Sequence, residues 1–417
     1  MTTATENTGS NFHLSMLLYD TRYRSITIQI VVLFALMAAA AWLIDNTIAN
    51  LHALGKDFNF SFLGVRAGYD INQRLVEYTN DSTHARALLV GLLNTLVLAI
   101  ISCLTATIVG VFAGVLRLSN NWIVSRLMAI YVEGFRNVPL LLWILVFFAV
   151  MTESMPPPSA FRGENPASSM LFFDTIAITN RGIYFPGPLF TNSLGHFSLG
   201  AFSVSVNLIL ILAVIAGSVW ANNRLRHRAN AVQEETGTRP VTWWKSLLIL
   251  FGPIIALLAL LGFHLEYPEL KGFNFSGGGY LRNSFSAMWL ALTFYTGAFI
   301  AENVRAGILA ISRGQTEAAY ALGMRPSWTM NLVILPQALR VIIPPLISQY
   351  LNITKNTSLG IAVGYMDLRS TLGGISLNQT GRELECMLLL MVIYLVISLI
   401  ISGVMNLYNS RVKLKER

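Results

Sequence analysis

Ser312-Arg313-Gly314-Gln315-Thr316-Glu317-Ala318-Ala319-Tyr320-Ala321-Leu322-Gly323-Met324-Arg325-Pro326 is the most informative stretch of the chain. Its spacing predicts a short helix. Gln315 or Thr316 can open it, and Thr suits an N-cap. Glu317 then falls in the first turn, where a negative charge suits the helix dipole. Ala318, Ala319 and Ala321 are strong helix formers with almost no side chain. Gly323 suits the left-handed position after the helix, and Pro326 blocks continuation. The expected product is a capped helix of about two turns, too short to persist alone in water, so a partner surface is expected to hold it. The alanine flank admits a close backbone, while Tyr320, Leu322 and Met324 can fill apolar pockets. An ordinary capped loop helix without a partner is the plainer reading of this bare pattern.

Outward from this loop the chain turns strongly apolar. A spanning helix needs about 20 mainly apolar residues. Eight segments qualify, at roughly 26–44, 88–116, 122–151, 199–219, 246–264, 285–301, 329–350 and 387–408. The third and seventh carry polar residues and prolines. Residues 26–44 also resemble the apolar core of a signal peptide, with small residues at Ala38–Ala41. The long preceding segment favours a retained anchor.

Composition agrees with a membrane protein. Of 417 residues, 54% are hydrophobic and 12% charged, against about 25% charged in soluble domains. Mean hydropathy is +0.57. The net charge of +8 sits mostly in short loops beside apolar runs, where it sets orientation and does not imply nucleic acid. Arg117 and Arg126, then Arg224, Arg226, His227 and Arg228, and finally Arg411, Lys413, Lys415 and Arg417 all fall on one side if there are eight spans. That side is cytoplasmic, with both termini inside. Cys103 and Cys386 lie in or beside apolar runs, and the six histidines lack ligand spacing, so no disulfide scaffold, metal or cofactor is expected.

The order Glu317-Ala318-Ala319, then Gly323, then Val333 and Leu335-Pro336 resembles the EAA motif of ABC importer permeases, with Val333 where that family usually has Ile. Four further stretches look like the polar amino acid (histidine/glutamine) permease group: Gly91–Leu96, Glu133–Leu141, Tyr295–Glu302 and Leu335–Arg340. The extra first helix, the helix pair near 199–264 and Arg66-Ala67-Gly68-Tyr69-Asp70-Ile71 resemble the larger, Q-type subunits of general L-amino acid permeases. The resemblance implies an all-α integral membrane protein of about eight helices, with a type I importer core of five. It further implies that Gln315, Glu317, Ala318, Ala319, Gly323, Leu335 and Pro336 dock a cytoplasmic ABC ATPase. A periplasmic amino-acid-binding protein and a second, homologous permease subunit would complete the assembly in a bacterial inner membrane.

The expected organisation is a cytoplasmic segment (1–25), an extra helix with a periplasmic loop (26–87), the first part of the core (88–151), an inserted segment with two spans (152–280), the second part of the core (281–410) and a cytoplasmic tail (411–417). Pro139, Pro336, Pro344 and Pro345 are expected to kink or end spans. Gly110/Gly114 and Gly360/Gly364 form GxxxG pairs suited to close helix packing. Glu133, Arg136, Glu302, Arg305, Arg340 and Lys355 lie in or beside apolar segments, where a lone charge costs roughly 2.5–3.5 kcal/mol on insertion scales. Glu302 with Arg305, and Glu133 with Arg136, have the spacing of helical ion pairs. Asn352, Thr354 and Lys355, in the polar run 352–358, are candidates for the substrate path on polarity alone.

No Walker A pattern, HExxH or GxSxG occurs, so the chain is not expected to be an enzyme in isolation. ATP hydrolysis would come from the partner that grips residues 312–325. An ion-coupled secondary transporter of amino acids is the competing reading, but no inverted repeat is visible and the loop would go unexplained. A membrane receptor or scaffold that transports nothing is a weaker rival.

Overall fold

A computed structural model describes Tyr19, residues 21–53, Gly55, 58–163, 165–199 and 202–412. Most of the expected N-terminal cytoplasmic segment and the tail cations Lys413, Lys415 and Arg417 lie outside the described residues. The chain divides into two units, one ending at Ser61 and one comprising Phe62–Arg417. The first unit holds helix α1, Thr21–Ala53, which is apolar and exposed along its length.

The second unit is built on two long helices, α2 (His84–Arg117) and α7 (Asn283–Leu309). Glycine decides how closely they approach. A Cβ on Gly110 would lie 2.9 Å from the Gly297 carbonyl oxygen, and one on Gly114 would lie 2.6 Å from that of Ala301. In lipid no hydrophobic force drives helices together, so such small-residue contacts and buried hydrogen bonds do so. Thr105 and Thr293 share a 2.6 Å hydroxyl bond, and the Trp289 indole donates to Thr105 at 3.1 Å. Leu98, Met288, Leu292 and Ile300 are fully buried along this seam. Gly110/Gly114 thus pack as expected. Gly364 does not: it caps a 3-10 turn at φ +70°, with open space around it.

Seven helices among the described residues are long and apolar enough to cross a membrane, and one bent pair brings the total to eight. That pair corrects the third span. α3 (Trp122–Asn137) and α4 (Leu140–Ala149) meet at a 107° bend. Val138 is extended ahead of Pro139, as residues before proline prefer, so the helix stops there. The stacked rings of Phe135 and Trp143, with centroids 4.1 Å apart, cover the corner. α5 (Val206–Thr236) and α6 (Trp243–Leu260) form a hairpin. The expected fourth span is therefore seven residues late in starting and runs well past 219, while 263–264, the end of the expected fifth span, belongs to a strand. Beyond the loop helix, α9 (Leu335–Asn356) and α10 (Glu383–Val412) complete the helices.

The fold is mostly helical, as expected, and the inserted segment adds short strands among the described residues. It carries nine short strands: β1 (Ala177–Thr179), β2 (Gly182–Phe185), β3 (Gly187–Phe190), β4 (His196–Leu199), β5 (Phe202–Ser205), β6 (Phe263–Glu266), β7 (Glu269–Lys271), β8 (Asn274–Ser276) and β9 (Gly279–Arg282). β2 pairs with β1 and with β9, all antiparallel, while β3–β6, β4–β5 and β7–β8 are two-stranded. Strands of three or four residues give no readable alternation, so these were invisible in the sequence.

Candidate functional site

The loop helix is α8, Arg313–Ala321. It begins earlier than expected. Ser312, with extended φ/ψ, stands at the N-cap, and its carbonyl accepts from Gln315 N at 3.1 Å. Neither Gln315 nor Thr316 opens the helix, and Glu317 lies beyond the first turn. The C-terminal end follows expectation. Gly323 takes φ +74°, its N–H donates to the Tyr320 carbonyl at 2.9 Å, and Met324 N–H donates to that of Ala319 at 3.1 Å. These two bonds make a Schellman motif. Pro326 starts the next short turn, Pro326–Trp328.

Ala319 is buried against the π-helical turn Thr329–Ile334, whereas Gln315, Glu317 and Ala318 are exposed. Leu322 is 82% exposed and Tyr320 48%. Among the described residues nothing covers Leu322. Leu335 and Pro336 follow the π turn directly and begin α9, and Gln337 Nε2 donates to the Val333 carbonyl at 3.0 Å. The helix, the π turn and α9 therefore form a continuous solid connection. α9 in turn presses on α7, where a Cβ on Gly307 would lie 3.4 Å from the Ala338 carbonyl oxygen, with Ile342 closer still.

An ionic cluster ties the same ends of the core helices. Glu302 pairs with Arg305 at 2.6 Å, as its spacing predicts, and also with Arg117 of α2. Glu133 pairs with Arg117 at 3.2 Å, not with Arg136. Arg136 instead lies over the Phe299 ring, 5.3 Å from its centroid, and its Nε–H is buried without an acceptor. The reason is positional: α2 delivers Arg117 between two carboxylates, leaving Arg136 to face α7 near the bend. Arg340 Nε is likewise buried and unpaired.

The substrate-path candidates separate. Asn352 and Lys355 are exposed and lie three residues apart, on one helix face. Thr354 is 1% exposed, and its hydroxyl donates to the Tyr350 carbonyl at 3.0 Å, so it points into the helix packing.

A second junction, at the opposite end of α2, was not singled out in the sequence. The Thr95 hydroxyl accepts from Leu368 N at 3.0 Å. Asn94 Nδ2 donates to the carbonyls of Gln73 and Met366 at 2.8 and 2.9 Å, and the Tyr365 hydroxyl donates to the Asn94 carbonyl at 2.8 Å. Gly91 lets α2 touch the turn after Asp367, whose carbonyl oxygen would sit 2.9 Å from a Cβ there. The signal was present in Gly91-Leu92-Leu93-Asn94-Thr95, read only as a resemblance.

The arrangement braces the core helices and leaves the outer face of α8 exposed. Residues 209–414 match the family described as "Binding-protein-dependent transport system inner membrane component". Over its full length the chain is 62% identical to the whole of a glutamate/glutamine/aspartate/asparagine transport system permease protein, BztB, of Rhodobacter capsulatus. It is 40% identical to the general L-amino acid transport system permease protein AapQ of Rhizobium johnstonii, with 100% of this chain and 98% of that protein covered. It is also 40% identical to a putative amino-acid ABC transporter permease protein, YhdX, of Escherichia coli, covering 94% of this chain and 95% of that one.

Proposed function

From the premise that the chain belongs to the amino acid permeases of binding-protein-dependent ABC transporters, we propose that α8 is the handle through which a cytoplasmic ATPase drives it. The chain is a multi-pass inner-membrane permease subunit for amino acids. Such permeases work with an ATPase and a binding protein, and the power stroke belongs to the ATPase. Gln315, Glu317, Ala318, Ala319 and Gly323 form the handle, and Leu335 and Pro336 carry its motion into α9. ATP binding draws two ATPase subunits together, and the permease rocks between inward-facing and outward-facing states. Residues 88–151 and 281–410 supply a core of too few helices for a complete path, so a second permease subunit completes it. The substrates we assign are glutamate, glutamine, aspartate and asparagine, the range in the name of the relative at 62% identity. Asn352 and Lys355 contribute to the path from the exposed face of α9.

One observation carries the coupling role: a capped helix at the inner ends of the braced core presents Ala318, Tyr320 and Leu322 outward. The test is uptake and ATPase activity in vesicles containing the assembled transporter. Leu322→Asp should reach the membrane at normal levels yet lose most uptake, with ATP hydrolysis no longer responding to substrate. Ala318→Cys should cross-link to the ATPase subunit. Normal uptake by Leu322→Asp, together with no cross-link, overturns the assignment. Competition by each common amino acid tests the substrate range.

A further inference from the structure

The α5–α6 hairpin packs chiefly on itself and on the strands at its ends. Between its two helices runs a groove of about 580 Å³, lined by Gly217, Ser218 and Ala221 on one side and by Leu248, Gly252 and Ala256 on the other. The groove is apolar with one exception. Ser218 is 5% exposed, and its hydroxyl, lining the groove, has no hydrogen-bond partner. A buried hydroxyl without a partner is unfavourable, so a ligand atom that accepts from it is favoured.

One end of the groove is cationic. The helices run antiparallel, so Arg224, a turn beyond Ala221, and Lys245, a turn before Leu248, fall at the same end. That end is cytoplasmic by its charge, with Arg226 and Arg228 further along. No carboxylate pairs with Arg224 or Lys245 among the described residues. The Arg224 guanidinium lies 4.2 Å from the Trp220 ring centroid, and the Lys245 ammonium 5.4 Å from that of Trp244. Both cations therefore lean on exposed indoles at the level where tryptophan marks the membrane boundary. Helical side chains tilt toward the N-terminus, and Arg224 accordingly reaches back one turn to lie over Trp220.

We infer that the hairpin binds an anionic glycerophospholipid. An acyl chain lies in the small-residue groove, the Ser218 hydroxyl donates to a lipid ester carbonyl, and Arg224 and Lys245 hold the phosphate. Charge complementarity decides the occupant, since a transmembrane helix from another protein would leave the cations unmatched. The site is independent of how transport is coupled.

The full chain, purified from membranes in mild detergent, tests this by native mass spectrometry with phosphatidylglycerol and phosphatidylethanolamine added in equal amounts. Wild type should retain phosphatidylglycerol in preference. Arg224→Gln with Lys245→Gln should weaken that retention roughly 30-fold, at about 1 kcal/mol per cation, and should leave phosphatidylethanolamine unchanged. Gly217→Leu should block retention of both lipids without disturbing the fold, because a Cβ there meets nothing within 4 Å. Equal retention of the two lipids by wild type overturns the inference. So does unchanged retention in either variant, or cross-linking of Gly217→Cys to another protein's helix in the membrane.

Discussion

Gly323 offers the sharpest test of the handle. It sits immediately after α8 at φ +74°, and a Cβ there meets no atom within 4 Å. A substitution therefore meets no clash, and its effect is confined to the backbone. An L-residue in the left-handed region costs roughly 1–2 kcal/mol, partly offset for Gly→Ala by about 0.4–1 kcal/mol from a less flexible unfolded chain. The net is about 1 kcal/mol against the two bonds to Tyr320 and Ala319. That lowers the equilibrium constant for the capped loop by roughly fivefold. Asn tolerates the left-handed region, so Gly323→Asn should lose much less. Amino acid uptake in vesicles should rank wild type above Gly323→Asn above Gly323→Ala, with equal protein in the membrane. Tryptic cleavage at Arg313, in the first turn of α8, should accelerate in the reverse order, fastest in Gly323→Ala. Uptake by Gly323→Ala equal to wild type, or a worse defect in the Asn variant, would refute the reasoning. Gly323→Asp adds a charge at the same place and should disconnect ATP hydrolysis from uptake.

Gly91→Ala should destabilise the purified chain by about 1–3 kcal/mol, read as a lower Tm, because α2 must withdraw from Thr371 and Asp367. Glu302→Gln should lower Tm by leaving Arg117 and Arg305 without their shared carboxylate. The cost is about 1–3 kcal/mol, below the 3–5 kcal/mol of a fully buried pair, since Glu133 still serves Arg117. A double-mutant cycle with Arg117→Ala checks the coupling. Asp367, between the last two spans, is fully buried, and desolvation raises its carboxyl above the ordinary value while bonds from Ser370 pull the other way. The stability tied to its neutral form is complete below about pH 3.9 and is lost as pH rises through the raised native value. Tm should therefore fall on raising pH from 4 in wild type and stay flatter in Asp367→Asn, whose amide keeps the acceptor for Ser370 N. Identical pH profiles would remove Asp367 from that account.

Much of this was legible in the sequence because membranes simplify the code. Long apolar runs give the spans without tertiary knowledge, and the left-handed Gly323 follows from its place after an alanine-rich helix. Other features depend on what the chain meets in space. Ser312 displaces Thr316 at the N-cap because the chain leaving α7 is already extended at Ser312. Glu133 has the spacing to reach Arg136, yet Arg117, sixteen residues earlier, lies closer once α2 and α3 pack. Polarity drew attention to Thr354 equally with Asn352, but a threonine hydroxyl can bond its own helix and vanish into the packing. The bend after Asn137 was half visible: proline marked the place, and only the aromatic corner sets its sharpness.

The antiparallel pairing of Gly182–Phe185 with Gly279–Arg282 closes the inserted region like a clasp. Everything from residue 186 to 278 leaves and returns at neighbouring points, so its length is free to change while the helices on either side keep their places. A region fastened in this way behaves as an exchangeable cassette. Within it, Leu270 and Phe275 pack back against Phe161, Ala177 and Tyr184, so an exchange that spares those contacts leaves α2 and α7 in place.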